Sequence, residues 1–183
     1  MGTATTADGF RTCPVTALKV HRSAENLIKA NAVVAVVVFT VGLTAAILLV
    51  MTRWKAVHLL SAEWYYRLLT AHGLNMLIFF IIFFEIAVLY FAGPVLLSCR
   101  QPAPWLGWVA FALMVGGAAL VDVMVFQGKA DVLLTSYPPL KADPIFYLGI
   151  ILFAGSFSIR SPKCCPGCAA VPFGISADPS LAG

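Results

Sequence analysis

Two ionisable side chains stand inside one long apolar stretch of the sequence. Between Arg67 and Arg100 most residues are Leu, Ile, Val, Phe, Ala or Met, and the run is interrupted by His72 and Glu85. The stretch is long enough to cross a bilayer, which takes about 20 apolar residues. Ionisable groups at that depth are costly and commonly functional. A neutral imidazole costs less than a charge and binds metals well. We therefore interpret His72 as a candidate metal ligand.

The neighbours of His72 favour a large, flat cofactor. At about 100° per residue in an α-helix, five residues fall on one face and predict an apolar, aromatic wall. They are His72, Met76, Phe79, Phe83 and Tyr90. Gly73 lacks a side chain where such a cofactor would lie, and Met76 would pack against it. A haem meets these requirements, because its iron takes imidazole and its ring needs an apolar pocket. A histidine hydrogen-bonded to a neighbouring helix is the alternative, and periodicity does not separate the two.

Two acidic residues accompany this histidine. Glu85 lies roughly 20 Å from His72 along the helix, so it cannot share the same first coordination shell. We interpret it as a protonated acid paired to another helix, with a proton route or a subunit contact as the alternative. Asp122 reaches the depth of His72 if the helices run up and down. It is expected either to orient the imidazole or a cofactor edge, or to cap the boundary near Lys129.

The remaining metal-binding residue types carry weaker signals. One Cys-x-x-Cys pair without a second pair or a following histidine is a poor zinc motif, so we interpret the cysteine cluster as a reduced, exposed tail. That cluster is Cys164, Cys165 and Cys168, while Cys13 and Cys99 stand alone. His21 is expected to be solvated and His58 to lie at the membrane interface.

Composition identifies an integral membrane protein. The 183 residues are 61% hydrophobic and 11% charged, with a mean hydropathy of +0.92, whereas soluble domains are about 25% charged. Continuous apolar runs favour helices over barrel strands, since lipid requires every backbone polar group to be satisfied internally. The formal charge of +4 fits basic residues that flank membrane helices, so no nucleic-acid partner is needed.

We predict an all-α membrane bundle of about four transmembrane helices, the last one incomplete. The spans expected are 31–52, 68–97, 105–126 and 145–159, inside a membrane region 30–159 between a polar segment 1–29 and an irregular Cys/Pro/Gly-rich tail 160–183. The abrupt change of composition after Ser158 suggests a truncated or frameshifted reading of a longer protein. Gly116–Ala119 offers small residues that allow a neighbouring helix to approach closely.

The distribution of basic residues favours an N-terminus inside the cell. Of the 12 Lys and Arg residues, 7 then lie on the inner side and 5 on the outer side, as the positive-inside rule prefers. This orientation places Arg67 and the beginning of the second span on the outer side.

Two segments resemble one family. Tyr65–Phe80 contains Thr-x-His-Gly followed by Met and Phe, and it resembles the second-helix signature of subunit I of the haem-copper oxygen reductases. Val132–Lys141, with Phe146–Gly149 after it, resembles the loop before the fourth helix in the B-type, ba-type branch. The resemblance covers about residues 30–158.

The resemblance implies a role for His72 and for the protein as a whole. His72 would be one axial ligand of the low-spin haem, of b-type or a-type, near the outer face, with Gly73 and Met76 packed against it. The family fold is a twelve-helix bundle that reduces oxygen with electrons from cytochrome c or a similar donor and moves protons. Its partners include a copper-bearing subunit II, and its location is the plasma membrane.

The same resemblance implies what this chain does not supply. The second haem ligand, the copper-binding histidines and the catalytic tyrosine lie on later helices, and His21 and His58 do not match them. We therefore expect no catalytic residue and no copper in this chain, and no activity of the chain alone. A nitric oxide reductase of the same superfamily, or a non-enzymatic haem-binding or assembly protein, is the alternative.

Overall fold

The computed structural model describes residues 10–12, 18–96, 103–130, 132 and 140–159. Residues 133–139, which belong to the segment that resembles the loop before the fourth helix, lie outside these residues. So do all five cysteines and the tail from residue 160 onward.

The first helix begins earlier than the apolar run. A short antiparallel hairpin, β1 (Phe10–Thr12) and β2 (Lys19–His21), leads into α1 (Arg22–Arg53). His21 is not simply solvated, because its Nδ1 atom caps α1 by accepting the Ser23 N–H at 3.3 Å. Glu25 pairs with Arg11 at 2.9 Å and with Lys29 at 2.6 Å. Because these charged residues have partners, the helix extends through the polar segment that precedes the apolar part.

The second long helix is continuous and contains two π-helical turns. It comprises α2 (Ala62–Gly73), a π-helical turn π1 (Leu74–Phe79), α3 (Phe80–Phe91) and a second π-helical turn π2 (Ala92–Leu96). The helix therefore starts six residues before the predicted start at residue 68. Pro94 explains π2, because proline lacks the amide donor that a regular α-turn requires.

Two further helices complete the described fold. α4 (Pro104–Phe126) begins with proline at its first position, and α5 (Pro144–Ile159) packs along it. A Cβ atom at Gly117 would lie 2.7 Å from the Gly149 carbonyl oxygen and 2.7 Å from the Phe153 nitrogen. The close helix approach predicted from the small-residue segment is therefore confirmed at Gly117. A Cβ atom at Gly116 would meet nothing within 4 Å.

The prediction of a helical membrane bundle is confirmed. In the described part of the chain, three helices are long and apolar enough to cross a membrane, namely Arg22–Arg53, Ala62–Phe91 and Pro104–Phe126, and a shorter apolar helix covers Pro144–Ser156. The core between them is apolar and aromatic. Its largest members are Leu27, Phe79, Phe83, Ile86, Met114 and Val121. Many large apolar side chains on the outer helix faces stay exposed, as expected for surfaces that meet lipid or other helices.

Candidate functional site

His72 lies in the last turn of α2 and makes a hydrogen bond to α1. Its Nδ1 atom is 2.9 Å from the carbonyl oxygen of Gly42. A carbonyl oxygen accepts and never donates, so Nδ1 must carry the proton. The lone pair of the neutral ring is then on Nε2, the atom available to a metal. Metal-bound histidines commonly hold their second nitrogen in this way, which fixes the tautomer and the ring orientation. The imidazole therefore fits the ligand role.

Gly42 makes this hydrogen bond possible. It is buried in α1 opposite Met76, and a Cβ atom there would lie 2.7 Å from Met76 Cγ and 2.9 Å from Met76 Sδ. A side chain at position 42 would therefore require the Met76 side chain to move. Our sequence analysis missed Gly42. The signal for it was present, because Gly42 is the only glycine in the apolar run 31–52.

The predicted single stripe of five residues is wrong. Met76 packs against Gly42 of α1. Phe79 and Phe83 instead face the other side of the bundle, where their ring centroids lie 4.8 Å and 5.8 Å from that of Phe153 on α5. The cause is π1, which begins directly after Gly73. A π-turn holds more residues than an α-turn, so the side chains that follow it are rotated relative to an α-helical projection.

Asp122 is hydrogen-bonded to Asn75 and not to the imidazole. Its Oδ1 atom accepts a hydrogen bond of 2.8 Å from Nδ2 of Asn75. Asn75 also donates to the carbonyl oxygen of Ala71 at 2.9 Å and is fully buried. The imidazole is bonded to Gly42 instead of Asp122. The expectation that Asp122 lies at the depth of the second helix's beginning agrees with this contact, because Asn75 follows His72 by three residues.

Glu85 does not pair with another helix within the described residues. Its side chain is on the exposed face of α3, and it forms no hydrogen bond or ion pair with another described residue. The interpretation of a paired acid is therefore wrong for this part of the chain. The same face carries exposed Ile81, Phe84 and Val88.

Arg67 fixes the beginning of the same helix. Its side chain is only 15% exposed and pairs with Glu63 one turn earlier. The guanidinium lies over the ring of Trp64, 5.1 Å from its centroid. It also packs against Gly128, which has a φ of +73° in the turn after α4. The arginine thus joins the beginning of the second helix to the end of α4, near Asp122.

Two further observations concern the surroundings of His72. An open apolar groove of about 480 Å³ runs along α1 between Leu68 and Phe126, but His72 does not line it. Within the described ranges, no group of three or more His, Cys, Asp or Glu side chains is placed to hold a metal ion.

The fold and the site together define a class of protein: a helical integral membrane protein with a half-buried imidazole that is hydrogen-bonded to a neighbouring helix. Comparison with known proteins gives the family. The model of the family "Cytochrome C and Quinol oxidase polypeptide I" matches residues 26–160. This chain belongs to that family.

Individual relatives agree with the family. Over 90 residues the chain is 33% identical to cytochrome c oxidase subunit 1 of Thermus thermophilus, a match that covers 49% of this chain and 16% of that protein. Its fold is similar to a chain of a heme-copper terminal oxidase dimer solved by cryo-EM, with a TM-score of 0.66 and 25% identity. That match covers 74% of this chain and 24% of the other. The chain thus spans less than a quarter of the length of these relatives.

The resemblance to subunit I of the haem-copper oxygen reductases is therefore confirmed, and the fold is that of a portion of subunit I. The assignment to the B-type branch stays a prediction. Haem cofactors and a multi-subunit assembly in a membrane are properties of the family to which the chain belongs.

Proposed function

We propose that this chain contributes His72 as one axial ligand of the low-spin haem in a respiratory haem-copper terminal oxidase. The observation that carries the proposal is the hydrogen bond of 2.9 Å between His72 Nδ1 and the Gly42 carbonyl oxygen. It leaves Nε2 as the free nitrogen and holds the ring in one orientation. Family membership supplies the reason to expect a haem at all.

The haem would supply one-electron transfer at the iron. The chain's own residues would bind and orient the haem. Gly42 holds the Nδ1 proton and keeps electron density on the ligand nitrogen. Gly73 has no side chain to obstruct a haem, and Met76, which is half-buried against α1, would contribute an adaptable apolar contact.

The wider assignment follows the family. In the proposal, electrons pass from cytochrome c or a similar donor to oxygen, coupled to proton movement, with a copper-bearing subunit II among the partners. The haem is of b-type or a-type. The membrane is the plasma membrane, with the N-terminus in the cytoplasm and His72 toward the outer face. Trp64 and Arg67 suit an interfacial position one to two turns before His72, which supports a place for His72 near one face of the membrane.

Difference spectroscopy tests the ligand. The chain is purified in detergent with haem supplied, and reduced-minus-oxidised spectra are recorded for the wild type, His72→Ala and His58→Ala. We expect a haem band in the wild type and in His58→Ala, since His58 is exposed in the loop after α1. We expect the band to disappear in His72→Ala. An unchanged band in His72→Ala would overturn the proposal, and so would the absence of a band in the wild type.

A further inference from the structure

We infer that Asn75 and Asp122 form a positioning pair that holds the His72 imidazole in its ligand orientation, an inference that rests on the haem site proposed above. Neither residue touches the imidazole. They act on the helical turn that carries it.

The amide of Asn75 has one possible orientation. Its Nδ2 atom donates to the Ala71 carbonyl oxygen at 2.9 Å and to Asp122 Oδ1 at 2.8 Å. Both partners are acceptors, so a flipped amide would place oxygen against oxygen. The two N–H groups are thus both used, one by the residue directly before His72 and one by α4.

The position of this pair along the helix allows it to control the position of His72. The winding changes from α to π between Gly73 and Leu74, so the regular ladder of backbone bonds is interrupted directly after the ligand. The Asn75 side chain spans that boundary by bonding back to Ala71. Asp122 then ties the same turn to α4, while Gly42 holds the imidazole from α1. The turn is therefore fixed from two helices on different sides.

Burial makes the pair sensitive to substitution. Asn75 is 0% exposed, and a hydrogen bond in such surroundings is stronger than one in water. Removing Asp122 leaves one N–H group of the buried Asn75 without its bond, and removing Asn75 leaves the half-buried carboxylate of Asp122 without that donor. The turn must then shift to recover a partner, and it would move His72 with it.

Asn31 provides a matched control. It is also 0% exposed, and its Nδ2 donates to the carbonyl oxygen four residues earlier, Leu27, at 2.8 Å. The Oδ1 atoms of Asn31 and Asn75 are both buried without a hydrogen-bond partner among the described residues. The difference is that Asn75 also reaches a second helix through Asp122. Asn31→Leu therefore reproduces the general cost of the substitution without the tie to α4.

The test is a titration of the full chain in detergent with iron protoporphyrin IX, together with the midpoint potential of the bound haem. The variants are Asn75→Leu, Asp122→Leu, their combination, Asp122→Asn and Asn31→Leu. Circular dichroism and size-exclusion chromatography select helical, monodisperse protein. If the leucine variants are not helical and monodisperse, Asn75→Ala and Asp122→Ala replace them. The alanine variants remove the same hydrogen bond with less added volume, and the same result is expected of them.

We expect Asn75→Leu and Asp122→Leu each to weaken haem binding by about 10-fold or more and to shift the midpoint potential, as supporting partners of metal ligands do. The combined variant should bind no more weakly than the worse single variant, because both remove one interaction. Asp122→Asn keeps an acceptor oxygen and should bind as the wild type does, as should Asn31→Leu.

Two results would overturn the inference while the haem proposal stands. One is wild-type affinity and potential in both Asn75→Leu and Asp122→Leu, with His72→Ala still unable to bind. The other is an equal loss in Asn31→Leu, which would show a general packing cost. If His72→Ala binds haem as the wild type does, the proposed function fails, and the positioning role fails with it.

Discussion

The Nδ1 atom of His72 and the carbonyl oxygen of Gly42 lie 2.9 Å apart although 30 residues separate them in the chain. The bond joins α1 to the helix that carries the candidate ligand. One partner of this bond is a backbone carbonyl. The position of that carbonyl depends on how closely the two helices pack and not on the conformation of a side chain. The packing of the first two membrane helices therefore determines the orientation of the imidazole.

Gly42→Ala should displace the Met76 side chain where these two helices meet. The added Cβ atom would lie 2.7 Å from Met76 Cγ, and overpacking of this kind costs about 1–3 kcal/mol. We expect a loss of that size in the free energy of unfolding, measured by circular dichroism during titration with SDS in mixed micelles, and a weaker haem band. Gly116→Ala is the control, because nothing lies within 4 Å of its added Cβ atom. It should stabilise by up to about 1 kcal/mol. Equal stability of both variants would refute the close contact.

Gly117→Ala should disrupt the packing of α4 on α5. Its Cβ atom would lie 2.7 Å from backbone atoms of Gly149 and Phe153, which cannot move as a side chain can. We expect a loss of about 2–3 kcal/mol in the same unfolding assay. Gly155→Ala on α5 is the matched control, since its added Cβ atom meets nothing within 4 Å. A smaller loss at Gly117 than at Gly155 would contradict the helix contact.

Gly128→Ala should weaken the contact between the turn after α4 and the beginning of the second long helix. Position 128 has a φ of +73° and lies against the Arg67 guanidinium. Alanine is unfavourable in this backbone region by roughly 1–2 kcal/mol, before any displacement of the arginine. By comparison, Glu63→Gln removes an exposed ion pair to the same arginine and should cost no more than about 0.5 kcal/mol. If the two variants unfold alike, Arg67 is not anchored on this turn.

Much of the architecture could be predicted from the sequence because membrane helices depend on composition over long windows. The four apolar runs predict the four helices, and the small residues at Gly117 predict where α4 meets α5. The ends of the helices were harder to predict. α1 begins at Arg22 because a histidine cap and paired charges extend it, and neither feature shows in an apolar run.

The arrangement around His72 could be predicted only in part. His72 itself is easy to recognise, because it is an imidazole in an apolar segment. The π-helical turn after Gly73 cannot be recognised in this way, because nothing in Leu74–Phe79 prevents a regular α-helix. Because the π-helical turn is wider than an α-helical turn, the side chains after it are rotated relative to His72. The single stripe predicted from α-helical periodicity is therefore wrong from Phe79 onward. The bond from Asn75 to Asp122 spans 47 residues, and helix periodicity contains no information about it.

The most direct measurement is the hyperfine coupling between the haem iron and a histidine nitrogen. The chain is labelled with ¹⁵N at the histidine imidazoles, loaded with haem, given unlabelled imidazole as the second axial ligand and studied by pulsed EPR in the ferric state. The account predicts a ¹⁵N coupling of a directly bound imidazole that persists in a His21→Gln/His58→Gln double variant and disappears in His72→Ala. A directly bound ¹⁵N that remains after His72 is removed, or that is lost from the double variant, would contradict it.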